Sequence, residues 1–221
     1  MKRVEDIALW LANDAPHDTF EALFGTFCRR IVQSGAPVWR ASLGLEVLHP
    51  EVSGWQHIWM DDSLSVHGAD RATAPTSQSY LNSPTRVVDE TERPFRRRLE
   101  APCFDMPLLE ELRQEGATDY VMYPLPFLDQ TRTAVISFAT RQRQGFDPAS
   151  LERLELATKL LSPYLERRVL RRIAVDLLDT YVGPRTGQRI IEGRVDRGEV
   201  EMIEAAIWFA DLRGFTLVNA V

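Results

Sequence analysis

The sequence predicts an α+β fold: an antiparallel sheet flanked by helices, with a long helix running out of it. Three observations carry that reading. Two apolar helical stripes open the chain, two pairs of alternating segments follow, and a leucine-rich stretch starts at Phe146-Asp147-Pro148. The 221 residues are 44% hydrophobic and 26% charged, the balance of a globular chain able to bury one or two cores.

The elements follow in order. Val4, Ile7, Ala8 and Leu11 fall on one helical stripe, which Asn13-Asp14-Ala15-Pro16 breaks. Asp18 or Thr19 caps a second helix carrying Phe20, Leu23, Phe24, Phe27 and Ile31, and Gly35-Ala36-Pro37 ends it. Trp39 to Val47 alternates as a strand with one buried face, and Trp55 to Met60 reads as its returning partner. Asp61 to Arg86 is expected to be a long loop with a helical turn near Tyr80-Leu81. Met106 to Glu115 reads as a short helix closed by Gly116. Tyr120–Phe127 and Thr133–Arg141 form a second strand pair around a turn at Leu128–Thr131. Asp147 caps the last long helix and Pro148 is its first residue. Leu151, Leu154, Leu161 and Leu165 lie near a heptad seam, the expected dimer contact, and Pro163 is expected to kink or break the helix. The basic stretch from Arg167-Arg168 to Arg171-Arg172 leads on to a break at Gly183-Pro184.

Composition narrows the function. A net charge of −6 argues against a general nucleic-acid partner, and no apolar run approaches the roughly 20 residues of a membrane span. No secretory signal follows Met1-Lys2-Arg3, and two cysteines, Cys28 and Cys103, make no disulfide framework. The expectation is a cytoplasmic protein.

Trp55, His57 and Trp59 alternate, so they share one face of a strand. They suit a mostly apolar ligand pocket, with Trp39, Tyr123 and Phe138 as further walls, or a tryptophan-rich core with one satisfied histidine. Cys103 and His67 are conceivable attachment points for a bilin or a haem, but no local motif supports either. Arg96-Arg97-Arg98 and Arg167-Arg168 read as solvated helix faces, although a basic cluster also receives anions. No catalytic triad, zinc spacing or phosphate-cradling loop is present. Near the C-terminus, Ile207, Trp208 and Phe209 read as a short buried strand ending at Asp211, with a turn at Gly214. A carboxylate so placed suits a hard cation.

Two resemblances organise these elements. The helix, hairpin, helix and strand order, with Leu112-Arg113-Gln114-Glu115-Gly116 leading to Tyr123-Pro124-Leu125 and then Phe146-Asp147-Pro148, resembles a GAF-type sensor domain over Thr19 to Glu166. A PAS domain has a similar sheet. The signature of cyclic-nucleotide-binding GAF domains is not visible. Tyr181-Val182-Gly183-Pro184-Arg185, followed by Phe209, Asp211, Gly214, Phe215 and Thr216, resembles the start of a class III adenylate/guanylate cyclase domain, with Gly183 where that linker usually has Ser. The resemblance implies that Asp211 and the backbone carbonyl of Leu212 hold Mg²⁺ or Mn²⁺ in an intact enzyme that makes cyclic AMP from ATP.

The expected organisation is therefore an N-terminal helix over 1–18, a GAF-like sensor over 19–166, and a signalling helix and linker over 167–198. The first strand of an incomplete catalytic domain then occupies 199–221. No catalytic set is complete in this chain, and the fragment itself is expected to be inactive. The function so implied is the regulatory region of a homodimeric cyclase. A stand-alone small-molecule-binding module is the alternative; a DNA-binding regulator would need a helix-turn-helix where the strand at Ala206–Ala210 is expected.

Overall fold

The computed structural model describes residues 4–13, 19–46, 52–70, 77–128, 134–193 and 206–209. Helices α1 (Val4–Asn13) and α2 (Phe20–Gln33) come first, and Thr19 caps α2 by accepting from Ala22 N at 3.2 Å. Strands β1 (Arg40–Glu46), β2 (Val52–Met60) and β3 (Ser63–Asp70) form a meander. Short helices α3 (Gln78–Leu81) and α4 (Pro84–Thr91) precede β4 (Phe95–Arg98), α5 (Pro107–Gln114), β5 (Asp119–Pro124) and β6 (Ala134–Thr140). The long helix α6 (Pro148–Val182) and the short α7 (Pro184–Ile191) complete the order.

All strand pairs are antiparallel, in the order β3-β2-β1-β6-β5-β4. Because side chains alternate across a pleated strand, the sheet has two differently covered faces. One face presents Ala41, Leu43, Leu45, Trp59, Val121, Ile136 and Phe138 to α1, α2 and α6, and holds the larger core. The other presents Tyr120, Met122, Val135 and Ala139 to Val88 of α4 and Leu109 and Leu112 of α5.

Several expectations change. The segment 61–86 is no long loop: it holds β3, α3 and α4. Asp61 and Asp62 turn the β2–β3 hairpin with φ of 49° and 61°, left-handed values more often supplied by Asn-Gly. Edge strand β3 buries little, so its pattern of Leu64 and Val66 among serines is weak. Arg96–Arg98 is a strand, not a helix face. Its arginines are drawn there by ion pairs to Asp119 (2.7 Å), Asp105 (2.8 Å) and Glu100 (2.7 Å).

Helix α6 is unbroken through Pro163. Proline removes one backbone donor, but Leu161 and Leu165 on either side are anchored in the same core, and Ser162 Oγ donates to Pro126 O at 3.1 Å. The expected dimer seam also turns inward. Leu154, Leu161 and Leu165 are fully buried in this chain's own core, with Leu151 packed at its margin. The leucines of α6 left exposed are Leu156, Leu170 and Leu177.

At Gly183 the chain leaves α6 with φ 82° and ψ 154°, backbone values that suit glycine far better than serine. Helix α7 then folds back so closely that a Cβ on Gly187 would sit 2.8 Å from Asp179 Oδ1. Residues 206–209 form no strand, and Ile207, Trp208 and Phe209 are exposed, because none of the described strands pairs with them. Asp211 and Leu212 lie outside the described residues, as do Gly214, Phe215 and Thr216.

Candidate functional site

A cavity of about 710 Å³ opens between the β1–β2–β3 side of the sheet and the second half of α6. Leu45 of β1, Trp55 and His57 of β2, and Val66 of β3 form its sheet wall. Phe20 and Glu21 at the start of α2 close one end. The remaining wall is helical: Arg167 and Arg168 through Val175 and Asp176, with Val169 and Ile173 buried at its base.

Local sequence explains the sheet wall. Trp55 pairs with Gly68 across β2–β3, and a Cβ there would meet the indole at 3.3 Å, so glycine lets the ring lie flat against the sheet. The outer part of Trp55 stays exposed at the rim. His57 is 5% exposed, its ring tilted at 45° against that of Phe20 with centroids 4.7 Å apart, and its Nδ1 has no hydrogen-bond partner among the described residues. Burial pushes its pKa below the ordinary imidazole value, with Glu21 pulling the other way. The ring is therefore neutral near pH 7.

The helical wall is basic for a simple geometric reason. Arg167, Arg168, Arg171 and Arg172 lie at i, i+1, i+4 and i+5, two adjacent ridges of one helix face. Arg172 is held by Asp176 at 3.0 Å and Arg168 donates to Tyr164 O at 3.3 Å. Arg167 and Arg171 are exposed and make no ion pair with the described residues. Four guanidinium groups thus face two carboxylates, Glu21 and Asp176, around an apolar floor.

The candidate pocket residues separate into three groups. Trp55 and His57 line the cavity. Trp59, Tyr123 and Phe138 belong to the packed core beside it; the Tyr123 hydroxyl donates to Leu151 O at 3.2 Å and its ring lies 6.3 Å from that of Phe138. Trp39 packs against the opposite cluster, under the Arg141 guanidinium at 3.7 Å from the ring centroid. Sequence reading missed Leu45, Val66 and Phe20 as wall residues. It flagged the arginines, whose i, i+4 spacing was the available signal.

The opposite face carries its own buried polar residues. Ser42 and Ser137 are buried partners across β1–β6, and Arg40, also buried, pairs with Ala139, which Tyr120 flanks on its other side. Burial pushes the Arg40 pKa down, against the pull of Tyr120, Glu115 and Glu111. Cys103 is buried on this side, and its thiol donates to Ala101 O at 3.4 Å. His67 is exposed on the far edge strand, bonded to Ser65. No cluster of three or more potential metal ligands occurs among the described residues. Likewise, no described helix is long and apolar enough to cross a membrane.

The sequence matches no protein-family model and no curated protein. Solved structures do resemble it. The GAF domain of a cyanobacterial phytochrome, solved with phycocyanobilin bound, aligns with a TM-score of 0.51 at 12% identity, over 77% of this chain and 98% of that one. Its fold is GAF-like. The phycoerythrobilin-bound GAF domain of a cyanobacterial phytochrome gives a TM-score of 0.50 at 11% identity over the same shares. An N-acylhomoserine-lactone-dependent LuxR-family transcription factor of Burkholderia cenocepacia gives 0.51 at 12% identity, again over 77% and 98%. At these identities the likeness concerns the fold alone.

Proposed function

We propose that this chain is a sensory region whose cavity takes a small molecule and whose long helix α6 passes the bound state toward the C-terminus. One observation carries the reading: the cavity's second wall is α6 itself, from Arg167 to Asp176. A ligand that touches both walls bears on the position of the helix that leaves the domain, with no intervening element. The two bilin-bound neighbours and the lactone-dependent one support a small-molecule reading of such a fold.

The output we favour is a class III adenylate cyclase. Support comes from the sequence, where Phe209, Asp211, Gly214, Phe215 and Thr216 match the family's first strand behind a linker-like Tyr181–Arg185. In that reading Asp211 and the Leu212 carbonyl hold Mg²⁺ or Mn²⁺, which activate the ribose hydroxyl and neutralise the triphosphate of ATP. Homodimerisation belongs to the same proposal. A stand-alone binding module is the second reading, equally consistent with the GAF-like fold. The test is cyclic AMP production from ATP and Mn²⁺ by the complete gene product beside its Asp211→Ala variant. Activity lost in the variant supports the cyclase output, and no activity in either leaves the binding module.

A further inference from the structure

We infer that the cavity between β2 and α6 binds an amphipathic anion, a molecule with an apolar body and a carboxylate or phosphate head. The inference rests on the reading of that cavity as the sensor's input and names the chemistry it accepts. Its floor and lip are apolar: Leu45, Trp55, Val66 and Ile173. Its rim on the helix side is cationic, with Arg167 and Arg171 one turn apart and unpaired among the described residues. A volume of about 710 Å³ suits one small free molecule rather than a macromolecular segment.

The second observation is independent of the arginines. His57 is buried to 5% exposure on the cavity wall, and its Nδ1 meets no partner among the described residues. It sits on β2 among the apolar wall residues, while the cations line the helix. The nitrogen itself is closed off from the cavity, so the Phe20–His57 ring pair offers an apolar surface to the body of a ligand while its head pairs with arginine. Guanidinium forks bind carboxylate or phosphate in two-pronged fashion, and the apolar surroundings favour a tail over a hydrated ion. Glu21 and Asp176 also face the cavity, but Arg172 occupies Asp176, and the balance of charge stays positive.

The experiment is isothermal titration calorimetry of the full chain with decanoate and with 2-naphthoate, against decanol and inorganic sulfate as controls. The proposal expects saturable binding of a carboxylate below its micellar concentration. An Arg167→Ala/Arg171→Ala variant should weaken it about tenfold, the scale of a charge-assisted hydrogen bond at an exposed rim. Trp55→Ala should weaken both carboxylate and decanol binding. Both arginines are exposed, so the double variant should keep the wild-type circular dichroism spectrum. Equal affinity in wild type and the arginine variant overturns the proposal, as does tighter binding of decanol or failure of both carboxylates. Amide exchange over 170–182, measured with the same probes, separates the two ideas. Binding that depends on arginine without any change there keeps the ligand class and removes the relay. A helix response to decanol alone does the reverse.

Discussion

Asp119 is fully buried at the start of β5 and accepts from Arg96 Nη2 at 2.7 Å and from Phe146 N at 3.0 Å. One carboxylate thus ties β4, β5 and the approach to α6. Asp119→Ala leaves the Arg96 guanidinium and the Phe146 amide without that partner, and should cost about 3 kcal/mol by urea denaturation. A wild-type midpoint would refute the role. Gly145 is bound to the same site: at φ 71° a Cβ would run into the Arg98 guanidinium and lie 2.6 Å from Asp119 Oδ2, so Gly145→Ala should destabilise comparably. Tyr120 gives a pH signature. Burial pushes its phenol up to about 12, and its hydroxyl lies near Ser137 without completing a hydrogen bond. A raised folded pKa means stability is intact below the ordinary value near 10 and is lost as pH climbs from there toward 12. Tyr120→Phe should flatten that alkaline loss in denaturation profiles between pH 9 and 11.

Pro163 sits at the exposed side of an unbroken α6. Replacing it with alanine restores a backbone donor and removes the ring's clash with the preceding turn, so Pro163→Ala should raise stability by about 1–3 kcal/mol. A loss would mean that the helix uses a distortion at this point. The start of α6 was legible because its cap is local: Asp147 accepts from Ser150 N at 2.7 Å, three residues on. The hairpins around Trp55–Met60 and Thr133–Arg141 were legible for the same reason, through alternation over a few residues. What stayed hidden depends on distance. Arg96 reads as a solvated face until Asp119 is found 23 positions away, and β3 is an edge strand whose serines carry little pattern. The cavity was half legible. Trp55 and His57 were singled out, but nothing local says that a helix more than a hundred residues later forms the facing wall.

For the molecule as a whole, the inward leucines of α6 change what a mutational test of assembly means. Leu154→Glu with Leu161→Glu puts two charges into the main core, so the chain should unfold rather than dissociate, as circular dichroism would show. If α6 pairs with a second copy, the exposed Leu170 and Leu177 are the positions to change, with molar mass by light scattering as the readout. The two halves of α6 are also held unequally. Before Pro163 the helix is sunk in the core through Leu154, Ala157 and Leu161; beyond Val169 and Ile173 none of its residues is buried. An element anchored at one end and lightly tethered at the other responds to heat before its surroundings do. Warming should therefore speed amide exchange in 174–182 well ahead of 150–165. A domain read as a chemical detector would then register temperature through the same lightly held segment.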